Sequence, residues 1–206
     1  MRDIVVAGTG GAGKETRWLI DRINAVKPTY NFLGYIDIAP GEDVVGDDSF
    51  VTGATTDLDV VIAMGSMEKR KNLSELYGKN PHVHFPNLID PTAVIGDTVK
   101  MGQGNVICAG VIMTCDVTIG DQNLINFNCT IAHDNVMGSY NTLNPNANIS
   151  GSCKLGNLIE VGTGAQIVQG KTIGDETHIW AGSCVIKNTK GRCEVVGVPA
   201  KIVLKW

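Results

Sequence analysis

The sequence predicts an α/β half-Rossmann domain over residues 1–88, followed by a parallel β-helix with a C-terminal tail over residues 89–206. Three observations carry that prediction. A short apolar run, Ile4-Val5-Val6-Ala7, leads straight into the glycine-rich loop GTGGAGKET, Gly8 to Thr16. From Ile95 to Val185 an aliphatic side chain recurs at every sixth residue, with no insertion. Aromatic content is 5% against 43% hydrophobic residues, so the core must be built from thin aliphatic layers rather than large rings.

Residues 3–8 read as a buried strand, and residues 14–25 as a helix opening after the glycines. Residues 31–37, NFLGYID, read as a second strand, and residues 59–64, DVVIAM, as a third that ends at Gly65. Residues 67–78 read as helix again, and HVHFPNLIDP leads into the repeat. This order supplies one mononucleotide-binding half of a doubly wound fold, not the two halves of a full dinucleotide fold.

The opening loop fits two patterns. Gly8, Gly10 and Gly13 match GxGxxG, and Gly8, Gly13 and Lys14 match most of the NTPase phosphate loop. That phosphate loop needs Ser or Thr after the lysine to ligate magnesium, whereas Glu15 stands here and would repel phosphates. An NAD site gains support from Asp37, placed where a ribose acceptor belongs, but no second half or hydride-transfer site follows. Two further readings stay open: a tight turn with no ligand, and a mononucleotide or nucleotide-sugar whose phosphates sit at the helix N-terminus.

In the back half the recurring residues run Ile95, Met101, Ile107, Met113, Ile119, Ile125, Ile131, Met137, Leu143, Ile149, Leu155, Val161, Ile167, Ile173, Ile179, Val185. The residue two places earlier is usually small or β-branched, as at Ala93, Val117, Cys129, Ala147, Cys153 and Ala165. Glycine often follows the aliphatic residue. A period of six is wrong for a helix and too long for strand alternation. It suits a short strand plus a corner, with three such units closing one triangular turn. The run then makes about five turns.

Among four histidines, His133 lies in TIAHDNVMG, two residues after the inward Ile131, so it should sit near a corner and face outward. Asp134 follows it. Asn126 lies in the preceding six-residue unit on a neighbouring face, and Gly151 stacks one turn beyond. Acyl transfer from a thioester needs a base for the attacking amine or hydroxyl and a donor for the oxygen that gains charge. A histidine supplies the first, a carboxylate can fix its tautomer, and a backbone N–H such as that of Gly151 can supply the second. An ordinary exposed corner histidine fits the same spacing. A zinc site of three histidines is not expected, because only His133 and His178 fall in the repeat and they lie too far apart.

The net charge of −4 argues against nucleic acid as a partner. No apolar run approaches membrane-spanning length. The six cysteines form no CxxC pair, no signal peptide is visible, and a cytoplasmic location is expected.

With glycine loop, half-Rossmann domain, six-residue coil and His133 in this order, the chain resembles one family over nearly its whole length. These are the hexapeptide-repeat sugar acyltransferases of the NeuD and PglD type: nucleotide-amino-sugar N-acetyltransferases of bacillosamine synthesis and sialic acid O-acetyltransferases. The resemblance implies a left-handed β-helix, a homotrimer using acetyl-CoA, no metal, a nucleotide-sugar site in the N-terminal domain, and an active site between adjacent β-helices. It implies His133 as general base, Asp134 and Asn126 as its supports, and Gly151 facing the thioester carbonyl. The closing signature VGxPAK stands as Val196-Gly197-Val198-Pro199-Ala200-Lys201, which places Gly197, Pro199, Ala200 and Lys201 on the cofactor, with Gly162 and Trp180 as further contacts. Interface packing is the alternative for Trp180. Gly8, Gly10, Gly11, Gly13, Lys14, Asp37, Gly65 and Arg70 are implied for the nucleotide-sugar.

Two positions depart from the family pattern: Ala12 replaces the loop histidine, and the acidic pair after the second strand is reduced to Asp37-Ile38. The function implied is N-acetylation of a nucleotide-linked amino sugar. O-acetylation of a sugar would use the same base. A non-catalytic trimeric scaffold is the alternative of a different class, and the joint presence of His133, Asp134, Asn126 and Gly151 argues against it.

Overall fold

The apolar run at the N-terminus folds as β1 (Arg2–Ala7), and its last four residues are buried. The computed structural model describes residues 1–206, which divide into two units, Met1–Pro91 and Thr92–Trp206. In the first unit β1 is followed by α1 (Gly11–Val26), β2 (Tyr30–Ile36), β3 (Val44–Gly46), α2 (Asp48–Thr52), β4 (Leu58–Ile62), α3 (Met67–Tyr77) and β5 (Val83–His84).

The five strands pair in parallel in the order β3-β2-β1-β4-β5. From β1 the chain winds outward through β2 and β3, then crosses to β4 on the other side. The crevice beyond the carboxyl ends of β1 and β4 is therefore the topological switch point. Alternation along β1 sends Val5 and Ala7 into a core with Val51, Leu58, Val60, Ile62 and Tyr77. Ile4 and Val6 are equally buried on the opposite face, as are Leu19 and Ile20 of α1.

Sequence reading anticipated three strands here and a linker strand around His82 and His84, where β5 stands; β3 and α2 are additions. These are pieces of three and five residues, too short to carry a hydrophobic period. Helix α1 also starts at Gly11 rather than at residue 14, because the glycines themselves form its first turn.

The second unit is a left-handed parallel β-helix. Each two-residue strand pairs in parallel with the strand one turn on, as Ile112–Met113 does with Thr130–Ile131, and that strand with Asn148–Ile149. The aliphatic column from Ile107 to Val185 is buried throughout. Ile95 and Met101, expected in the same column, are only half-buried, at the first turns of the repeat. Corner residues take left-handed backbone angles at six-residue steps, among them Asn128 (φ 57°), Asp134 (58°), Tyr140 (62°), Asn146 (59°) and Ser152 (58°). Asn and Asp tolerate that region better than other side chains.

Inside one edge of the prism, Asn105, Asn123 and Asn141 stack. Asn123 N–H donates to Asn105 Oδ1 at 2.9 Å, and Asn141 N–H to Asn123 Oδ1 at 2.8 Å. After the last turn, Cys193–Gly197 and Ala200–Lys205 pair as an antiparallel hairpin. No helix is long and apolar enough to cross a membrane.

Candidate active site

His133 lies at the corner that follows Thr130–Ile131 and is half-exposed. Its Nδ1 is 2.7 Å from Asp134 Oδ2. The left-handed backbone of Asp134 turns the carboxylate back alongside the ring of the preceding residue. With Nδ1–H donating to that carboxylate, Nε2 carries the lone pair, the tautomer a base requires.

Gly151 lies beside this ring, one turn along. A Cβ built on Gly151 would stand 2.5 Å from both Cε1 and Nε2 of His133. Only the missing side chain lets the imidazole lie there. The N–H of Gly151 donates to no carbonyl of the coil, unlike the N–H groups of Ser150 and Ser152 beside it. The base nitrogen thus adjoins a residue whose backbone N–H the coil leaves unused, the two kinds of group that acyl transfer calls on.

The same edge of the prism continues through Gln169 to Lys187. Lys187 lines a cavity of about 370 Å³ together with Ile186, Asn188, Pro199, Ala200 and Lys201. Val185, Val195 and Ile202 give that cavity apolar walls, and its two lysines add positive charge. Apolar walls and cations suit a ligand such as CoA, with a planar base, an extended arm and phosphates. Gly197 stands at the hairpin turn with φ 101°, and its N–H donates to Ser183 Oγ at 3.0 Å.

Other sequence-derived candidates stand elsewhere. Asn126, Asn144, Gly162 and Trp180 form a column on a neighbouring edge of the prism. Asn126 Oδ1 accepts from Phe127 N–H at 2.8 Å, so within one chain Asp134 is the partner of His133 and Asn126 is not. Gly162 is buried and its N–H is spent on Ile179 O at 2.7 Å. Trp180 is half-exposed, donates from Nε1 to Glu194 Oε2 at 2.9 Å, and lies 5.0 Å from the ring of His178. The thiol of Cys129 is pushed up to about 11 by burial, which fits a packing residue.

In the N-terminal unit the glycines have separate reasons. Gly8 adopts φ 110° with a would-be Cβ 2.9 Å from Ala63 O, and a Cβ on Gly13 would collide with the carbonyl of Gly8. These two let β1 turn tightly into α1. Gly10 and Gly11 meet nothing within 4 Å, so they leave open space at the helix N-terminus. Gly10 offers no side-chain cap, and the first α1 bond is from Lys14 N–H to Gly10 O. The N–H groups of the first turn therefore face the crevice, a site suited to phosphate.

Lys14 and Gly65 are exposed beside that turn. Asp37 accepts from Thr9 Oγ1 at 2.6 Å and from Ala39 N–H at 3.2 Å. These bonds hold its carboxyl below the usual range, Thr9 contributing most. Arg70 is 3% exposed and donates from Nη1 to Met64 O at 2.8 Å. Burial pushes its guanidinium down to about 10, still charged at neutral pH. The bond to Met64 O ties it to the loop after β4.

No family model and no curated protein matches the sequence. Solved structures do. PerB from Caulobacter crescentus, solved with CoA and GDP-perosamine, is 29% identical, with 98% of this chain and 97% of that chain covered and a TM-score of 0.88. WeeI from Acinetobacter baumannii is 28% identical over 98% and 100%, TM-score 0.88. The acetyltransferase domain of PglB from Neisseria gonorrhoeae is 24% identical over 98% and 100%, TM-score 0.90. The chain has the architecture of the hexapeptide-repeat sugar N-acetyltransferases. Likeness over 98% of the chain takes in the N-terminal sheet as well as the coil, so it is not a match between generic β-helices.

Proposed function

We propose that this protein is an acetyl-CoA-dependent N-acetyltransferase acting on a nucleotide-linked amino sugar. The single observation that carries the reading is the closeness of Gly151, its N–H unspent, to the Nε2 side of the His133 ring, with Asp134 on Nδ1. The relative solved with CoA and GDP-perosamine supports the substrate class.

Acetyl-CoA supplies an acyl group already activated as a thioester. His133 Nε2 takes the proton from the sugar amine as its nitrogen attacks. Asp134 holds Nδ1–H and stabilises the imidazolium that forms. Gly151 N–H donates to the oxygen that becomes negative; as the C–S bond then breaks, the CoA sulfur leaves as the thiol with the proton that His133 took, which regenerates the base. Lys187, Lys201, Pro199 and Ala200 bind the distal part of CoA. Gly162 and Trp180 border it from the neighbouring edge. Gly8, Gly10, Gly11, Gly13 and Lys14 receive the diphosphate, Asp37 and Gly65 flank the nucleoside, and Arg70 braces the loop behind them. Ala12 stands where the family has its loop histidine, so this chain lacks that polar group for the sugar or its diphosphate.

The working assembly in this reading is a cytoplasmic homotrimer. A flat-sided β-helix offers its groove only one wall, and a second copy supplies the other. The Asn126 edge of one copy then meets the His133 edge of the next.

A thiol-release assay with acetyl-CoA and UDP-, GDP- and dTDP-amino sugars tests the reading. Turnover on one sugar should fall about 10²–10⁴-fold in His133→Ala. Turnover that survives that substitution rejects His133 as base. CoA binding without turnover on any amino sugar favours a hydroxyl acceptor.

A further inference from the structure

Asn135 is 1% exposed and points into the coil immediately after Asp134. Its Nδ2 donates to two carbonyls, Ala132 O at 2.7 Å and Ser150 O at 3.0 Å, while its Oδ1 accepts from Cys153 N–H at 2.9 Å. Neither carbonyl takes part in the backbone ladders between turns. Ala132 O belongs to the peptide that leads into His133, and Ser150 O to the peptide whose other end is the Gly151 N–H. A peptide unit is planar, so fixing its oxygen fixes the direction of its N–H. One buried amide thus sets both the corner that presents the base and the donor beside it.

The placement is particular to this turn. In the same inward column, the turn before carries Val117 and the turn after carries Cys153, both fully buried. On the edge where asparagines stack, Asn141 makes matching bonds: Nδ2 to Gly156 O at 3.0 Å and Oδ1 from Ile159 N–H at 2.8 Å. That edge carries neither His133 nor Gly151. Chemically equivalent amides, those of Asn105 and Asn141 among them, therefore sit in one coil, and only that of Asn135 lies beneath the reacting groups.

We infer that Asn135 is a positioning residue for acyl transfer, aligning the His133 corner and the Gly151 N–H through their carbonyls. The inference rests on the acyltransferase reading above. It differs from a merely structural role in its effect on turnover, because Asn141 provides the structural role without the site.

The test is Asn135→Val beside Asn141→Val, with thiol release and thermal melting measured on both. Valine already occupies the Asn135 column at position 117, so the fold accommodates it there. The expected result is a kcat about 10- to 100-fold lower for Asn135→Val, with KM for acetyl-CoA within about threefold of wild type. Asn141→Val should lower the melting temperature comparably and leave kcat within about threefold. If Asn135→Val does not fold, Asn135→Cys, which copies position 153, serves in its place with the same expectation. An unimpaired kcat at position 135, or equal kcat losses at both positions, overturns the inference alone. Absence of turnover in the wild type overturns the acyltransferase reading and this inference with it.

Discussion

Gly151→Ala probes the site with a single methyl group. The new Cβ would stand 2.5 Å from Cε1 and Nε2 of His133 and 3.1 Å from Cδ2. Non-bonded carbons settle about 3.5–4.0 Å apart, so the ring must retreat by about 1 Å. The obstacle is the tip of a half-exposed side chain, so the fold gives way at little cost. Gly151 is not in the left-handed region, and alanine restricts the unfolded chain by about 0.4–1 kcal/mol in favour of folding. The melting temperature should therefore hold or rise. Displacing a reacting group by 1 Å costs about 100-fold in rate, or about 2.7 kcal/mol. Because the backbone N–H is retained, the loss reports the movement of His133 and not a missing donor. Thiol release and circular-dichroism melting on the same preparation decide it. A kcat within about threefold of wild type at unchanged stability would refute the placement of the ring over Gly151.

Asp134→Asn keeps a side chain that tolerates φ near 58° but removes the charge, so kcat should fall roughly 10- to 100-fold with melting nearly unchanged; parallel rate and melting measurements check this. Asp37 has a folded pKa below its unfolded one, so its stabilising contribution is complete above about pH 4 and is lost as pH falls through the lower folded value. Melting curves between neutral and strongly acidic pH should show wild type losing more stability at the acid end than Asp37→Asn; identical acid slopes would contradict the Thr9–Asp37 bond. If adjoining copies share the site, mixing His133→Ala with Asn126→Ala subunits, unfolded and refolded together, should restore thiol release that neither variant shows alone. No recovery in the mixture would mean that Asn126 does not act across copies.

The coil was legible because burial repeats at a fixed spacing, and the same spacing located Gly151 one turn from His133. The carboxylate partner was legible too, since adjacency in sequence at a corner is adjacency in space. The inward asparagines were not. A search for small or β-branched residues passes over Asn105, Asn123, Asn135 and Asn141; the amides of Asn105, Asn135 and Asn141 donate to backbone carbonyls of the next turn, and that of Asn123 to Asn105 Oδ1. The burial of Arg70 was not legible either, because its spacing from Gly65 does not say which side of α3 faces the sheet. Strand β3 gave no period because edge pairing, not burial of a face, holds it.

One edge of the prism carries both His133 and, three turns later, Lys187 in the cavity bounded by Pro199, Ala200 and Lys201. Each turn advances by one strand spacing, about 4.8 Å, so the two points lie about 14 Å apart along the axis. In the acyltransferase reading this interval is a ruler for the carrier arm. Its length is set by counting strands and not by any side chain, so it can change only in whole steps. Deleting or duplicating one eighteen-residue turn between Gly151 and Lys187 would leave both ends chemically intact while the acyl group fell one rung short of the base or overshot it.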